Sequence, residues 1–332
     1  MLEKRHKFQR LAKIGIELVI YKIGILTLDG FPLMSYASVV EPLRTANLLS
    51  QKTLYEVVDI TLTKDGARSS SGIVVVGKNT FDMKARFDIV FVVAGGDPFL
   101  VESKKLFSWL NRLAKFGTII GGISGGPVIL AKAGILGDRR ITVHWEHAEG
   151  LLELDQKVIL ERSLYVFDRD RMTCAGGTAP LDMMLALISS QQGTVFAQFV
   201  SDWLVHAEIR PSGAAQRGGL ASRIGTTNSL VLMTVELMEN HIADPLTLGQ
   251  LAALVGISER QLNRVFKQNL ERSTMVYYRS VRLGKAKNLL RNSNLRISEI
   301  AEATGFANQS HLAGLFATSF GYAPSQYRSR QF

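Results

Sequence analysis

One helix-turn-helix pattern occurs twice in the last hundred or so residues of this chain. The first copy runs through Leu251-Ala252, Gly256-Ile257-Ser258, Leu262 and Phe266; the second runs through Ile300-Ala301, Gly305-Phe306-Ala307, Leu312 and Phe316. The two glycines stand 49 positions apart and the two leucines 50, so the second turn is one residue longer. Apolar residues at this spacing mark the inner face of a helix, and the glycine supplies the break between two of them. The carboxyl-terminal region, 229–330, is therefore expected to be all-α with two helix-turn-helix motifs.

At 332 residues the chain exceeds one ordinary core, and a hydrophobic content of 46% can fill two. The net charge of +10 and pI near 9.7 favour polyanionic partners. From Gly225 onward 12 Lys/Arg face 7 Asp/Glu, whereas the preceding 224 residues hold 27 and 22, so the positive excess is denser at the carboxyl end. The single cysteine, Cys174, excludes an intramolecular disulfide and a cysteine-rich zinc site, which suits a reducing cytosol. Lys4, Arg5, Lys7, Arg10 and Lys13 ahead of the Ile14–Ile20 run loosely resemble a signal peptide, but Glu17 interrupts the run and no small-residue cleavage site follows. No apolar run approaches the roughly 18 residues of a membrane span. The expectation is a cytoplasmic protein with an amino-terminal extension at 1–17 and no membrane partner.

From 18 to 209 short apolar runs alternate with helical patterns, as in a parallel sheet covered on both faces. Val19–Leu28, Tyr55–Leu62, Ile89–Val93, Thr118–Gly121 and Met172–Ala175 read as strands; Pro42–Leu49, Val101–Phe116, Pro127–Ala133 and Leu181–Gln191 read as helices. The span 210–228 opens with Arg210-Pro211-Ser212-Gly213 and reaches Arg217-Gly218-Gly219, turn chemistry without an apolar period, and reads as the linker. Beyond it, Leu230–His241 is amphipathic. Ser258 with Gln261 three residues on forms a capping box that starts a recognition helix running to about Asn269. Arg260, Asn263, Arg264 and Lys267 are expected on its exposed face. Met275–Arg291 reads as a longer helix, with Tyr278, Val281, Leu283, Ala286, Leu289 and Leu290 largely inward and Arg279, Arg282, Lys285 and Lys287 outward or snorkelling.

A recognition helix presents its amino-terminal half to base edges in the major groove, and two of them on a rigid connector reach successive grooves of double-stranded DNA. Thr247-Leu248-Gly249-Gln250-Leu251-Ala252, Ser258–Lys267, Arg282-Leu283-Gly284-Lys285-Ala286, Ile297 through Phe306, Phe320-Gly321 and Pro324-Ser325-Gln326-Tyr327-Arg328 resemble the AraC/XylS transcription regulators over about 100 residues. The chain departs from that pattern where the family usually has basic residues, at Gly314 and Ala317. Asn308, Gln309, Ser310 and His311 remain the polar candidates there, so the first helix is expected to supply most of the base-specific affinity.

In the amino-terminal domain Gly121-Gly122-Ile123-Ser124-Gly125-Gly126-Pro127 follows a strand and contains a literal G-x-S-x-G, the elbow that exposes a nucleophile at a strand end. A hydrolase built on it needs a histidine and an orienting acid, and chain order leaves Asp182 or Asp202 with His206. A second resemblance covers almost the whole domain. Asp29-Gly30-Phe31, Glu41–Asn47, the elbow, Ala131–Leu136, Thr142-Val143-His144-Trp145-Glu146 and Thr173–Gly177 are similar to the PfpI-type, glutamine-amidotransferase-like domain of GlxA-type AraC regulators. That resemblance implies a flavodoxin-like α/β domain, a parallel sheet flanked by helices. In the enzymes of that superfamily the elbow carries a cysteine, with a histidine about 20 residues later and a glutamate near the end of the first strand. Here His144 keeps its place, while Ser124 stands for the cysteine and Ser35 aligns with the glutamate, which removes the means of forming a thiolate.

What remains is a pocket for a small-molecule effector. Backbone N–H groups at Ser124 and Gly125 suit an anion, and Trp145 with Glu146 suits a cationic amine, beside His144. Gly95, Gly96 and Asp97 close a neighbouring strand at the same sheet edge and join the candidate lining. The plainer alternative puts Trp145 in the core and Glu146 in solvent. Cys174 reads as packing, Asp168-Arg169-Asp170-Arg171 as a charged turn, and His147, His241 and His311 lack metal-ligand spacing. No cofactor or metal is expected. The reading is a metabolite-controlled transcriptional regulator, more often an activator in the resembled family, dimeric through its amino-terminal domain and contacting RNA polymerase. An active hydrolase fused to a DNA-binding tail and a constitutive DNA-binding protein with a scaffold domain stand as alternatives.

Overall fold

The computed structural model describes residues 19–77, 85–293 and 295–329, so the extension at 1–17 lies outside the described residues. The amino-terminal domain is built on a six-stranded sheet of β1 (Tyr21–Thr27), β2 (Tyr55–Thr61), β3 (Ile89–Ala94), β4 (Ile119–Ser124), β5 (Tyr165–Asp168) and β6 (Arg171–Cys174). Its order is β2-β1-β3-β4-β6-β5, parallel throughout except that the edge strand β5 runs antiparallel to β6. All six residues of β3 are buried, as a central strand covered on both faces requires.

Helices α1 (Leu33–Ser50), α5 (Ala179–Gln192) and α6 (Thr194–Trp203) cover one face, packing Val39, Leu43, Met183, Leu187 and Val200 against Ile23, Ile25 and Phe91. On the other face α2 (Lys104–Lys115), α3 (Gly126–Lys132) and α4 (Ala148–Leu154) pack Leu106, Trp109, Val128 and Leu151 against Leu26, Val90 and Val92. This is the expected α/β architecture. Three local expectations shift. α1 begins at Leu33 and carries Pro42 inside it, where the proline had suggested a start. The elbow strand continues to Ser124: a Cβ on Gly121 would stand 2.2 Å from the Phe91 ring and one on Gly122 2.6 Å from Pro127 N, so these glycines serve close packing within the strand. β5 and α6 had no counterpart in the sequence reading.

The span read as linker contains a short helix, α7 (Leu220–Ile224), whose Leu220 and Ile224 pack on the first helical core beyond it. There, α8 (Ser229–Asn240), α9 (Leu248–Leu254), α10 (Glu259–Leu270) and the start of α11 (Thr274–Asn292) enclose Val235, Met238, Leu251, Leu262, Phe266 and Tyr278. A second core joins the rest of α11 to α12 (Ile297–Ala303), α13 (Gln309–Phe320) and α14 (Pro324–Ser329) around Leu283, Leu290, Ile300, Leu312 and Phe316. Both helix-turn-helix units form, and the second turn has the extra residue. Gly256 (φ 74°) and Gly305 (φ 68°) sit in the turns with left-handed backbone that favours glycine. α11, 19 residues and thus about 28 Å long, spans both cores. Among the described residues no helix is long and apolar enough to cross a membrane.

Candidate functional site

The sheet's register sets Ala94 beside Ser124, bringing the ends of β3 and β4 to one edge. Ser124 turns the chain from β4 into α3 with φ 60°, a left-handed conformation costing a non-glycine residue about 1 kcal/mol or more. Its neighbours hold it there. Gly125 N–H donates to Ala94 O at 2.8 Å, and a Cβ on Gly126 would stand 2.1 Å from Val92 O. Gly176 lies so close that its Cβ would come within 2.6 Å of Ser124 Cβ. Behind that loop the buried Ser35 donates to Gly177 O. The backbone N–H of His144 donates to Ser124 O at 3.2 Å, so the elbow and the histidine 20 residues on do meet.

His144 Nδ1 accepts from Glu146 N–H at 3.3 Å and opens the 3-10 turn Trp145–His147. Its ring lies 5.3 Å from Trp145 and 5.8 Å from His147. Burial holds the His144 pKa below its ordinary value; Glu146 opposes this, and the Arg291 cation adds to it. Asp97 accepts from Phe99 N–H, and burial raises its carboxyl against the pull of Lys132 and Arg291. Gly95 packs closely on Gly30 and Pro32, while Gly96 is exposed with φ 60°.

Trp145 is not core. It is 39% exposed, and the Arg217 guanidinium lies 4.4 Å over its ring. Glu146 is half-buried, 3.8 Å from Arg291 Nη1 of α11, and Glu149 pairs with Lys285 of the same helix. Arg217, Arg291 and Lys285 had no site signal in the sequence: a linker arginine beside two glycines and two cations on a basic helix look like solvated charge. Only the folded approach of α11 and the linker to this turn reveals them.

The acid–histidine pair considered for a hydrolase forms, with His206 Nε2 3.0 Å from Asp182 Oδ1, but it is used structurally. Asp182, fully buried, also accepts from Arg210 N–H, Nε and Nη2. No hydrogen bond joins Ser124 Oγ to a histidine among the described residues. Cys174 is buried, and burial pushes its thiol up to about 12, leaving almost no thiolate at neutral pH. The charged turn is a bracing network: Arg139 pairs with Asp170, and buried Arg171 donates to Ile135 O. Among the described residues no cluster of His, Cys, Asp and Glu is arranged to hold a metal ion.

At the carboxyl-terminal domain, α10 begins with the expected capping box: Ser258 Oγ accepts from Gln261 N–H and Gln261 Oε1 from Ser258 N–H. Arg260, Gln261, Arg264 and Lys267 are exposed. Asn263 corrects the expected face: it is half-buried, and its Oδ1 accepts from Thr274 N–H, tying α10 to the start of α11. In the second unit Asn308, Gln309, Ser310 and His311 are exposed, with Asn308 capping α13 by accepting from His311 N–H. Arg282 is turned inward, donating to Thr304 O and Gly305 O and lying over the Phe306 ring.

The profile of a helix-turn-helix domain matches residues 251–330, and that of the DJ-1/PfpI family matches residues 21–190. The chain is 41% identical over 312 residues to the HTH-type transcriptional regulator GlxA of Rhizobium meliloti, covering 94% of this chain and 96% of that protein. It is 35% identical to the HTH-type transcriptional regulator CdhR of Pseudomonas aeruginosa, covering 92% and 90%. Among solved structures, an AraC family transcriptional regulator from Pseudomonas putida superposes with a TM-score of 0.51 at 26% identity, covering 55% of this chain and 99% of that one.

Proposed function

The chain belongs to the DJ-1/PfpI family and, with its AraC-type helix-turn-helix domain, to the GlxA-type transcriptional regulators, and we propose that it controls transcription in response to a small metabolite. α10 and α13 enter the major groove of double-stranded DNA. Arg260, Gln261 and Arg264 read bases, Lys267 meets the backbone, and Gln309, Ser310 and His311 chiefly position the second helix. The effector, an amino acid or amine derivative, binds at Ser124, Gly125, His144, Trp145 and Glu146, with Gly95, Gly96 and Asp97 at the rim. It is bound without turnover, because Ser124 lacks a paired base and Cys174 is inert. The protein acts in the cytoplasm as a homodimer through its amino-terminal domain, as an activator that contacts RNA polymerase.

The observation that carries this reading is the exposed, capped α10 with its arginines, set on one of two helix-turn-helix cores joined by a single helix. Selection from a random-sequence duplex pool with the full chain should recover one recurring site. Arg264→Ala should weaken binding to it by about 1–3 kcal/mol at fixed salt, and Gln309→Ala by less. An unchanged affinity for Arg264→Ala beside a large loss for Gln309→Ala would overturn the ranking; no recurring sequence would overturn sequence-specific binding itself.

A further inference from the structure

Three cations from outside the sensor domain's core converge on one short stretch of it. Arg217, in the linker, covers the Trp145 ring at 4.4 Å; Arg291 Nη1 lies 3.8 Å from Glu146 Oε1; Lys285 pairs with Glu149. Lys285 and Arg291 are six residues apart on α11, so that helix lies across the turn at Trp145–His147 and the start of α4. The linker is held in place for its part. Gln216 Nε2 donates to Thr142 Oγ1, Val143 O and Ser163 O, and Ser212 O accepts from Leu164 N–H, which delivers Arg217 to the indole face.

We propose that the site at His144, Trp145 and Glu146 is shared between the domains: Arg217 and Arg291 are cations that it grips, and an effector enters by displacing them. The inference rests on the reading of this turn as the effector site and assigns it a means of regulation. A guanidinium stacked on an indole beside a carboxylate outlines the complement of what the site accepts, a small cation whose charge is spread or shielded. The side chains of Glu149 and Arg291 are 42% and 44% exposed, so solvent screens these pairs and competition can open them. α11 bridges both helix-turn-helix cores. Releasing it from Glu146 and Glu149 therefore lets both helix-turn-helix units move together relative to the sensor domain, which couples one small binding event to the placement of the whole DNA-reading surface.

The test uses the full chain carrying Glu149→Cys and Lys285→Cys, with the buried Cys174 unreactive. A short bis-maleimide should link the two new thiols within one chain, at a rate that falls severalfold when Arg217→Gln and Arg291→Gln are added and also falls as salt rises. Glu146→Gln approaches the same contact from the sensor side and should slow linking likewise; melting curves establish that each variant folds. Absence of an intrachain link, or a rate indifferent to these substitutions, overturns the latch. Among a panel of amines and amino acids, any compound that raises the sensor's melting temperature should slow linking to the rate of the Arg217/Arg291 variant. One that binds without slowing it overturns displacement. A latch that responds to the substitutions while no compound shifts the melting temperature would instead sink the effector reading and leave the domain contact standing.

Discussion

His147 lies between Phe99 and His144, 4% exposed, with no hydrogen-bond partner for its Nδ1 among the described residues, and burial pushes its pKa down to about 3 from an ordinary 6.5. Between those values the unfolded chain takes up the proton that the folded chain refuses. Stability is complete above about pH 6.5 and falls as pH drops, by up to about 1.4 kcal/mol per unit for this one group. His144, also shifted down by burial, adds in the same direction. His147→Phe keeps a ring that cannot charge, so its urea midpoint should fall less steeply than the wild type's between pH 7 and pH 5; parallel slopes would refute the assignment. At this scale the sequence showed where Ser124 stands, because an elbow needs glycines around its serine, whereas His144 was singled out by the resemblance to the PfpI-type domain. It did not show that Trp145 is exposed or that Arg217 covers it, since neither side chain carries a local pattern that distinguishes stacked from solvated.

The connecting helix α11 has a glycine, Gly284, at its exposed middle, with nothing within 4 Å of where a Cβ would stand. Glycine in a helix interior is less favourable than alanine by about 0.5–1 kcal/mol, and no neighbour opposes the added methyl. Gly284→Ala should therefore raise stability by about that amount in a denaturant titration; a loss would mean that the helix must bend there. The helices with caps and strong periodicity, α10 above all, were legible because hydrogen bonds between residues three apart define their ends. α1 was not, because Pro42 looks like a boundary, whereas the surrounding packing of Val39, Leu43 and Ala46 carries the helix through it. Asn263 is the same lesson in a side chain: helical spacing puts it with Arg264, and only the approach of α11 turns it to Thr274.

Among the described residues the hydrophobic side chains fall into separate cores, two on the faces of the sheet and two in the helical domain, with ion pairs between the domains and a linker cation stacked on the sensor's Trp145. Surface ion pairs of this exposure contribute about 0–1 kcal/mol each, too little to lock two domains into one cooperative unit. Calorimetry should resolve two transitions, and an effector bound at the elbow should raise the sensor's transition by mass action; a single transition would show that the interface is stronger than its contacts imply. The two kinds of domain, the doubled helix-turn-helix motif and the G-x-S-x-G elbow were legible in the sequence alone, since each rests on periodicity, capping or glycine chemistry within a few residues. What the elbow's turn faces was decided by tertiary structure. Arg217 lies more than 70 residues from Trp145 and Arg291 more than 140 from Glu146, and charges brought together over such separations leave no local signature until the cores have folded.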